Sequence, residues 1–199
     1  MKILVIGAHG TIGKAVVKNL ELRHEIITAG RSGADYTVDI SSALSITQLY
    51  KDVGQLDAVV CAAGSGYFAP MAQVSPENFK SGLDEKLLGQ INLVLLGQHL
   101  LADHGSFTLI SGILSDDPIR EGLNSSTINA AIEGFVRAAA IELERGIRIN
   151  VISPTMVTES TSKYEQYFRG FAAVDASQVA LAYSKSIEGA QTGKIYKVR

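Results

Sequence analysis

Short apolar runs alternate with amphipathic stretches along all 199 residues. Residues 2–6 read Lys2-Ile3-Leu4-Val5-Ile6, and residues 57–62 read Asp57-Ala58-Val59-Val60-Cys61-Ala62. Continuous apolar, β-branched runs of this kind belong to strands covered on both faces. Further strands are expected at 25–29, 36–38, 106–111, 147–152 and 194–198. Between them, helical periodicity marks segments near 12–22, 42–53, 76–101, 126–145 and 175–187. Strand and helix in alternation imply right-handed βαβ units and a parallel sheet with helices on both faces. The expectation is one α/β domain over residues 1–199, doubly wound, with no repeat, low-complexity tract or linker. Ligands of such sheets lie outside the carboxyl ends of the strands. The loops after residues 6, 29, 62 and 111 therefore share one crevice.

The first of those loops carries specific chemistry. The opening strand runs into Gly7-Ala8-His9-Gly10-Thr11-Ile12-Gly13 and then into a helical pattern. Glycines there let the backbone turn tightly and approach a pyrophosphate, and the free N–H groups and dipole of the next helix meet its charge. That order makes the sheet Rossmann-type and assigns Gly7, Gly10, Thr11, Ile12 and Gly13 to a dinucleotide. The second strand ends in Gly30-Arg31-Ser32, without the carboxylate that would accept from a ribose 2′-OH. A planar guanidinium suits a 2′-phosphate instead, so NADP(H) is favoured over NAD(H). His9 either adds a donor near that phosphate or is an exposed loop histidine. Asp39, beside Ile40, either bonds the adenine amino group or joins Ser41 in capping the helix at 42–53. Ala62, Ala63 and Gly64 leave room for a flat cofactor against the backbone.

Composition narrows the function classes. The chain is 46% apolar, and 18 basic residues stand against 20 acidic ones, dispersed along it. No basic cluster suggests nucleic acid or anionic lipid, and no segment approaches the roughly 18 apolar residues of a membrane span. One cysteine cannot form an intramolecular disulfide, and it shows no metal-ligand spacing with the four histidines. The N-terminus lacks the features of a signal peptide. A cytoplasmic protein without metal is the expectation.

Several further segments resemble the short-chain dehydrogenase/reductase family over nearly the whole chain. Cys61-Ala62-Ala63-Gly64 resembles its Asn-Asn-Ala-Gly, and Ala130-Ala131-Ile132-Glu133-Gly134-Phe135 with Ala140-Ile141-Glu142-Leu143 its long central helix. Arg148-Ile149-Asn150-Val151-Ile152-Ser153-Pro154-Thr155 is similar to the strand and turn that follow, and Thr192-Gly193-Lys194-Ile195-Tyr196 to the closing strand. The glycine pattern departs from the family's in placing its middle glycine at position 10. The resemblance implies hydride transfer between a nicotinamide and a carbonyl or alcohol, with Pro154 and Thr158 beside the nicotinamide. Thr158 stands one position earlier than the family's threonine.

The same resemblance implies a tyrosine proton donor, a lysine four residues later that lowers its pKa, a serine and an asparagine. The aligned positions are Ser125 for tyrosine, Asn129 for lysine, Gly112 for serine and Lys86 for asparagine. The usual relay cannot run on these residues. Lys86, Ser111 and Ser125 are the remaining catalytic candidates. Lys86 either donates a proton or neutralises phosphate. If the relay alone limits the rate, Ser125→Tyr with Asn129→Lys should raise carbonyl reduction. Three readings stand: an NADP(H)-dependent oxidoreductase with a non-standard proton donor, a non-catalytic NADP(H)-binding redox sensor or scaffold, and a paralogue binding no nucleotide. The intact glycine turn and Arg31 oppose the third. The substrate is an unidentified small molecule, and the family's habit implies a homodimer or homotetramer through the two long helices.

Lesser candidates have plainer alternatives. Cys61 is either a reactive thiol or core, Asn150 a structural amide, and Ser115-Asp116-Asp117 a turn. Tyr67 could be a replacement phenol. Tyr164, Tyr167, Phe168 and Phe171 either line a pocket or seal the core.

Overall fold

The computed structural model describes residues 1–199. Seven parallel strands form one sheet: β1 (Lys2–Ile6), β2 (Glu25–Gly30), β3 (Tyr36–Thr37), β4 (Leu56–Cys61), β5 (Leu101–Ile110), β6 (Arg148–Pro154) and β7 (Ile195–Val198). Their spatial order is β3-β2-β1-β4-β5-β6-β7. The order reverses between β1 and β4, so the carboxyl ends of those strands diverge into a crevice. The doubly wound Rossmann-type sheet expected from the sequence is present, strand for strand.

β1 shows why its residues are apolar throughout. Leu4 and Ile6 face one side and join a core of 23 buried residues that includes Ile46, Leu93, Phe107, Ile128 and Val136. Ile3 and Val5 face the other and join 14 buried residues that include Val16, Leu20, Val179 and Tyr183. The two-residue period of a strand thus feeds two hydrophobic layers. Helices α1 (Thr11–Leu20) and α7 (Ala176–Glu188) cover the second layer. On the first lie α2 (Ala43–Val53), α4 (Gly89–Gly97) and α5 (Leu123–Glu142), preceded by the short α3 (Pro76–Gly82). A further short helix, α6 (Thr161–Tyr164), follows β6.

The helix expected at 76–101 needs correction. It is three segments: α3, a π-helical stretch Leu83–Leu88, and α4, which stops at Gly97. The chain then turns, and Leu101 already pairs with Leu56 in the sheet, five residues before the expected strand start at 106. Leu-Leu-Gly-Gln-His-Leu-Leu is apolar enough to read as continuing helix, and only its pairing with β4 makes part of it strand. At Gly97 the Tyr50 ring packs where a side chain would stand, and the Tyr50 hydroxyl donates to the Leu93 carbonyl at 2.7 Å.

Helix α5 begins at Leu123 rather than 126, with Gly122 as N-cap. The shift puts Ser125 inside the first turn. Residues 128, 132 and 136 then form an apolar stripe into the core, while 125, 129 and 133 form a buried polar stripe beside it. That second stripe faces the crevice side. The cap of α2 is Ser42, whose hydroxyl accepts from the Ser45 N–H, and not Asp39 or Ser41. No helix is long and apolar enough to cross a membrane.

Candidate functional site

The crevice holds two cavities that meet at Gly64 and Ser65. One, of about 310 Å³, lies against Ile6, Gly7, Arg31, Ile40, Ala63 and Glu85. The other, of about 450 Å³, extends over Thr11, Ile12, Ala62, Lys86, Ser125, Asn129 and Pro154 toward Met156, Tyr164 and Phe168.

The floor where they meet is the glycine turn. Gly7 has φ 82°, a left-handed conformation that glycine adopts without strain. Gly13 packs so close beneath it that an added Cβ would stand 2.8 Å from the Gly7 carbonyl carbon and 2.9 Å from Ala8 Cα. Helix α1 has Gly10 as N-cap, no capping side chain and no acidic residue in its first turn. The N–H groups of Thr11, Ile12 and Gly13 therefore have neither a helical partner nor a competing carboxylate, an arrangement suited to a phosphate.

At the other end, Lys86 extends from the π-helical stretch. Its ammonium donates to Asn129 Oδ1 at 2.9 Å and to the Ser111 carbonyl at 3.2 Å. The Asn129 amide in turn donates to the Gly112 carbonyl at 3.3 Å. Burial pulls the Lys86 pKa down to about 8, while the Cys61 thiol nearby opposes the shift weakly. A Cβ on Gly112 would stand 3.0 Å from Asn129 Nδ2, so the amide lies against the space that a side chain at 112 would need. Lys86, Asn129 and Gly112 fit one another as a set.

Ser111 lines the larger cavity, but its hydroxyl is already engaged. Its hydroxyl donates to Glu133 Oε1 at 2.9 Å, and the Ser115 hydroxyl reaches the same oxygen at 2.6 Å. Glu133 is buried, with Arg137 3.7 Å from its other oxygen. The hydroxyls of this loop thus anchor it to α5, while its carbonyls hold Lys86 and Asn129. Glu133 is a residue of the site that the sequence motifs alone do not single out. Its spacing of four from Asn129, and eight from Ser125, was the available signal.

Ser125 lines the larger cavity. Gly66 is pressed against it, and a Cβ on Gly66 would lie 3.0 Å from Ser125 Cβ and clash outright with the hydroxyl. The loop after β4 thus occupies the ground that a larger residue at 125 would need. This corrects the expectation for the restored pair. Ser125→Tyr with Asn129→Lys is expected to lose about 1–3 kcal/mol of stability by overpacking. The new lysine would also replace the acceptor of Lys86 with a second cation. No gain in carbonyl reduction is expected; denaturant unfolding and an NADPH-consumption assay check both points.

Of the remaining expected residues, His9, Gly13, Asp39 and Thr158 line neither cavity. Asp39 is exposed and accepts from the backbone and hydroxyl of Ser41 at 3.0 and 2.7 Å, which lowers its pKa. Thr158 is exposed in a 3₁₀ turn, its N–H donating to the Val174 carbonyl. Tyr67 faces a separate small cleft, 3.5 Å from Asn78. Cys61 is buried core, its thiol pushed up to about 11 by burial. Asn150 is structural, bonded to Ser186 and to the Gln191 carbonyl. Asp116 is an ion-pair partner of Lys197 and Arg199. The aromatic segment divides: Tyr164 and Phe168 line the cavity, while Tyr167 packs on Phe68 with ring centroids 5.2 Å apart.

A family model described as enoyl-(acyl carrier protein) reductase matches residues 11–191. The chain belongs to the short-chain dehydrogenase/reductase family. The solved structure of the protein lin1944 from Listeria innocua is 50% identical to it, with a TM-score of 0.99 and both chains covered completely. A small-chain dehydrogenase solved in complex with NADPH is 27% identical, with a TM-score of 0.88, covering 100% of this chain and 96% of that one. An uncharacterized oxidoreductase from Methylorubrum extorquens is 27% identical over 183 residues, 79% of this chain and 74% of that protein. A hydroxynaphthalene reductase-like protein from Metarhizium brunneum is 25% identical over 179 residues, and the chain spans 66% of its length. The two residues that the family resemblance assigns to the asparagine and lysine positions, Lys86 and Asn129, are in direct hydrogen-bond contact at 2.9 Å.

Proposed function

We propose that the protein binds NADP(H) and interconverts a small carbonyl compound and its alcohol, with the Lys86 ammonium as proton donor. The NADPH complex of a 27% identical family member supports the choice of cofactor. The glycine turn fits the pyrophosphate, through the unpaired N–H groups at the start of α1 and a Gly7–Gly13 contact that admits no side chain. Arg31 at the rim of the smaller cavity would meet the 2′-phosphate, with Ile40, Ala63 and Gly64 around the adenosine and Pro154 beside the nicotinamide. Bound NADPH supplies the hydride.

The observation that carries the catalytic reading is the pair of hydrogen bonds from Lys86 to Asn129 and Ser111. An ammonium has three N–H donors. Two are engaged, and the third is free for the oxygen of a substrate in the same cavity. The acceptors orient the group, and its depressed pKa lets it give up a proton near neutrality. Phe68, Met156, Tyr164 and Phe168 supply an apolar wall on the substrate side.

The test is NADPH consumption against a panel of small aldehydes, ketones and enones, read as a function of pH. Reduction needs the protonated amine, so kcat is expected to fall as pH rises through about 8, while alcohol oxidation needs the free amine and is expected to rise over the same range. A flat profile would remove Lys86 from the proton step. A second reading, a redox sensor or scaffold that holds NADP(H) without turnover, rests on Ser125, which leaves no phenol at the tyrosine position. NADPH binding without consumption across the panel would establish it.

Homo-oligomerisation and a cytoplasmic location belong to the same proposal. Leu88, Leu95, Leu123 and Ile141 are exposed on or beside α4 and α5, where a second copy could cover them.

A further inference from the structure

The two charged side chains lining the smaller cavity are Arg31 and Glu85. Arg31 follows β2, and Glu85 projects from the π-helical stretch on the opposite wall. Their tips approach to 3.6 Å, Nη2 to Oε2, with the side chains 70% and 37% exposed. The pair therefore spans the half of the crevice in which an adenosine ribose would lie. Its separation exceeds a hydrogen bond, and its exposure makes it readily exchanged for another anion. A second carboxylate, Asp39, also bears on Arg31 electrostatically, but it is bound to Ser41 and lies outside the cavity.

We infer that Glu85 is a coenzyme-selectivity residue: its carboxylate competes with a ribose 2′-phosphate for Arg31 and so reduces the preference for NADP(H) over NAD(H). This rests on the NADP(H) reading above and adds to it the side chain that limits the preference. A 2′-phosphate must replace Glu85 at the guanidinium and then tolerate that carboxylate as a like-charged neighbour. A 2′-hydroxyl meets neither difficulty, and can itself donate to Glu85. Glu85 is also the neighbour of Lys86 in the same helical stretch, so the residue that senses the ribose adjoins the proposed proton donor.

The test uses two matched pairs of probes, NADPH with NADH and adenosine 2′,5′-bisphosphate with adenosine 5′-monophosphate, each titrated by calorimetry. Wild-type protein is compared with Glu85→Gln, Arg31→Ala and Asp39→Asn, folding being checked by circular dichroism. Glu85→Gln is expected to tighten NADPH and the bisphosphate about fivefold, the size of an exposed ion pair of about 1 kcal/mol. NADH and the monophosphate should change by less than about twofold, and Asp39→Asn should leave all four within that range. Equal gains for all probes, no gain, or the same gain in Asp39→Asn would overturn the assignment of Glu85. If Arg31→Ala weakens NADPH while Glu85→Gln changes nothing, Glu85 alone fails and the cofactor reading stands. If folded wild-type protein binds none of the probes, the cofactor reading fails and this inference with it.

Discussion

Exchange of Lys86 for Met is expected to lower kcat for carbonyl reduction by about 10²- to 10⁴-fold, the usual contribution of a positioned general acid. Methionine retains the unbranched apolar stem that passes beneath the turn at Gly64 and removes the three N–H donors. Without the ammonium, no group hydrogen-bonded to Asn129 Oδ1 can protonate an alkoxide. NADPH affinity should change only a few-fold, because the glycine turn and Arg31 are untouched. Stopped-flow or steady-state NADPH consumption, with a separate binding titration, separates the two effects. Equal losses in binding and turnover would make Lys86 a cofactor ligand. Full activity in Lys86→Met would remove it from the chemistry altogether.

The second large effect is expected at Gly13. In Gly13→Ala the new methyl meets three backbone atoms, the Gly7 carbonyl carbon and oxygen and Ala8 Cα, none of which is the movable end of a side chain. Either the turn or the first turn of α1 must shift. A loss of about 3 kcal/mol is expected from this overpacking, which corresponds to a fall in Tm of roughly 6–12 °C for a chain of this size. Dinucleotide affinity should fall with it, since the N–H groups of Thr11 and Ile12 are aimed by the same backbone. Thermal unfolding and an NADPH titration check the two consequences. An unchanged Tm with weakened binding would mean that the turn yields locally, and that its shape serves the ligand rather than the fold.

These two positions illustrate how unevenly the site was legible. Gly13 could be read from the chain because its neighbours in space, Gly7 and Ala8, are also its neighbours in sequence. The alternation of β1 between two cores is equally local, and every strand in the sheet apart from the first half of β5 is legible in such local patterns. Lys86 becomes a candidate only through the family pattern. That its ammonium rests on Asn129 and the Ser111 carbonyl depends on two segments 25 and 43 residues away. Ser111 is a catalytic candidate in the sequence because it stands one residue before Gly112, the position aligned with the family's serine. Its hydroxyl turns to Glu133 because α5 presents a carboxylate there, four residues along from Asn129. The expected helix at 76–101 failed for a similar reason: its apolar pattern is continuous, whereas the π-helical stretch packs against α5 and the return to strand at Leu101 answers to pairing with β4.

The amino-acid sequence by itself determined the doubly wound sheet, the glycine turn between β1 and α1 and the absence of any Tyr-x-x-x-Lys, because each is written in residues close together along the chain. The tertiary structure alone decided that Lys86, Asn129 and Gly112 form a fitted set, that Gly66 fills the ground beside Ser125, and that Arg31 faces Glu85. Those relations are contacts between segments distant in sequence, and a side chain's role there depends on which acceptor the fold brings within about 3 Å.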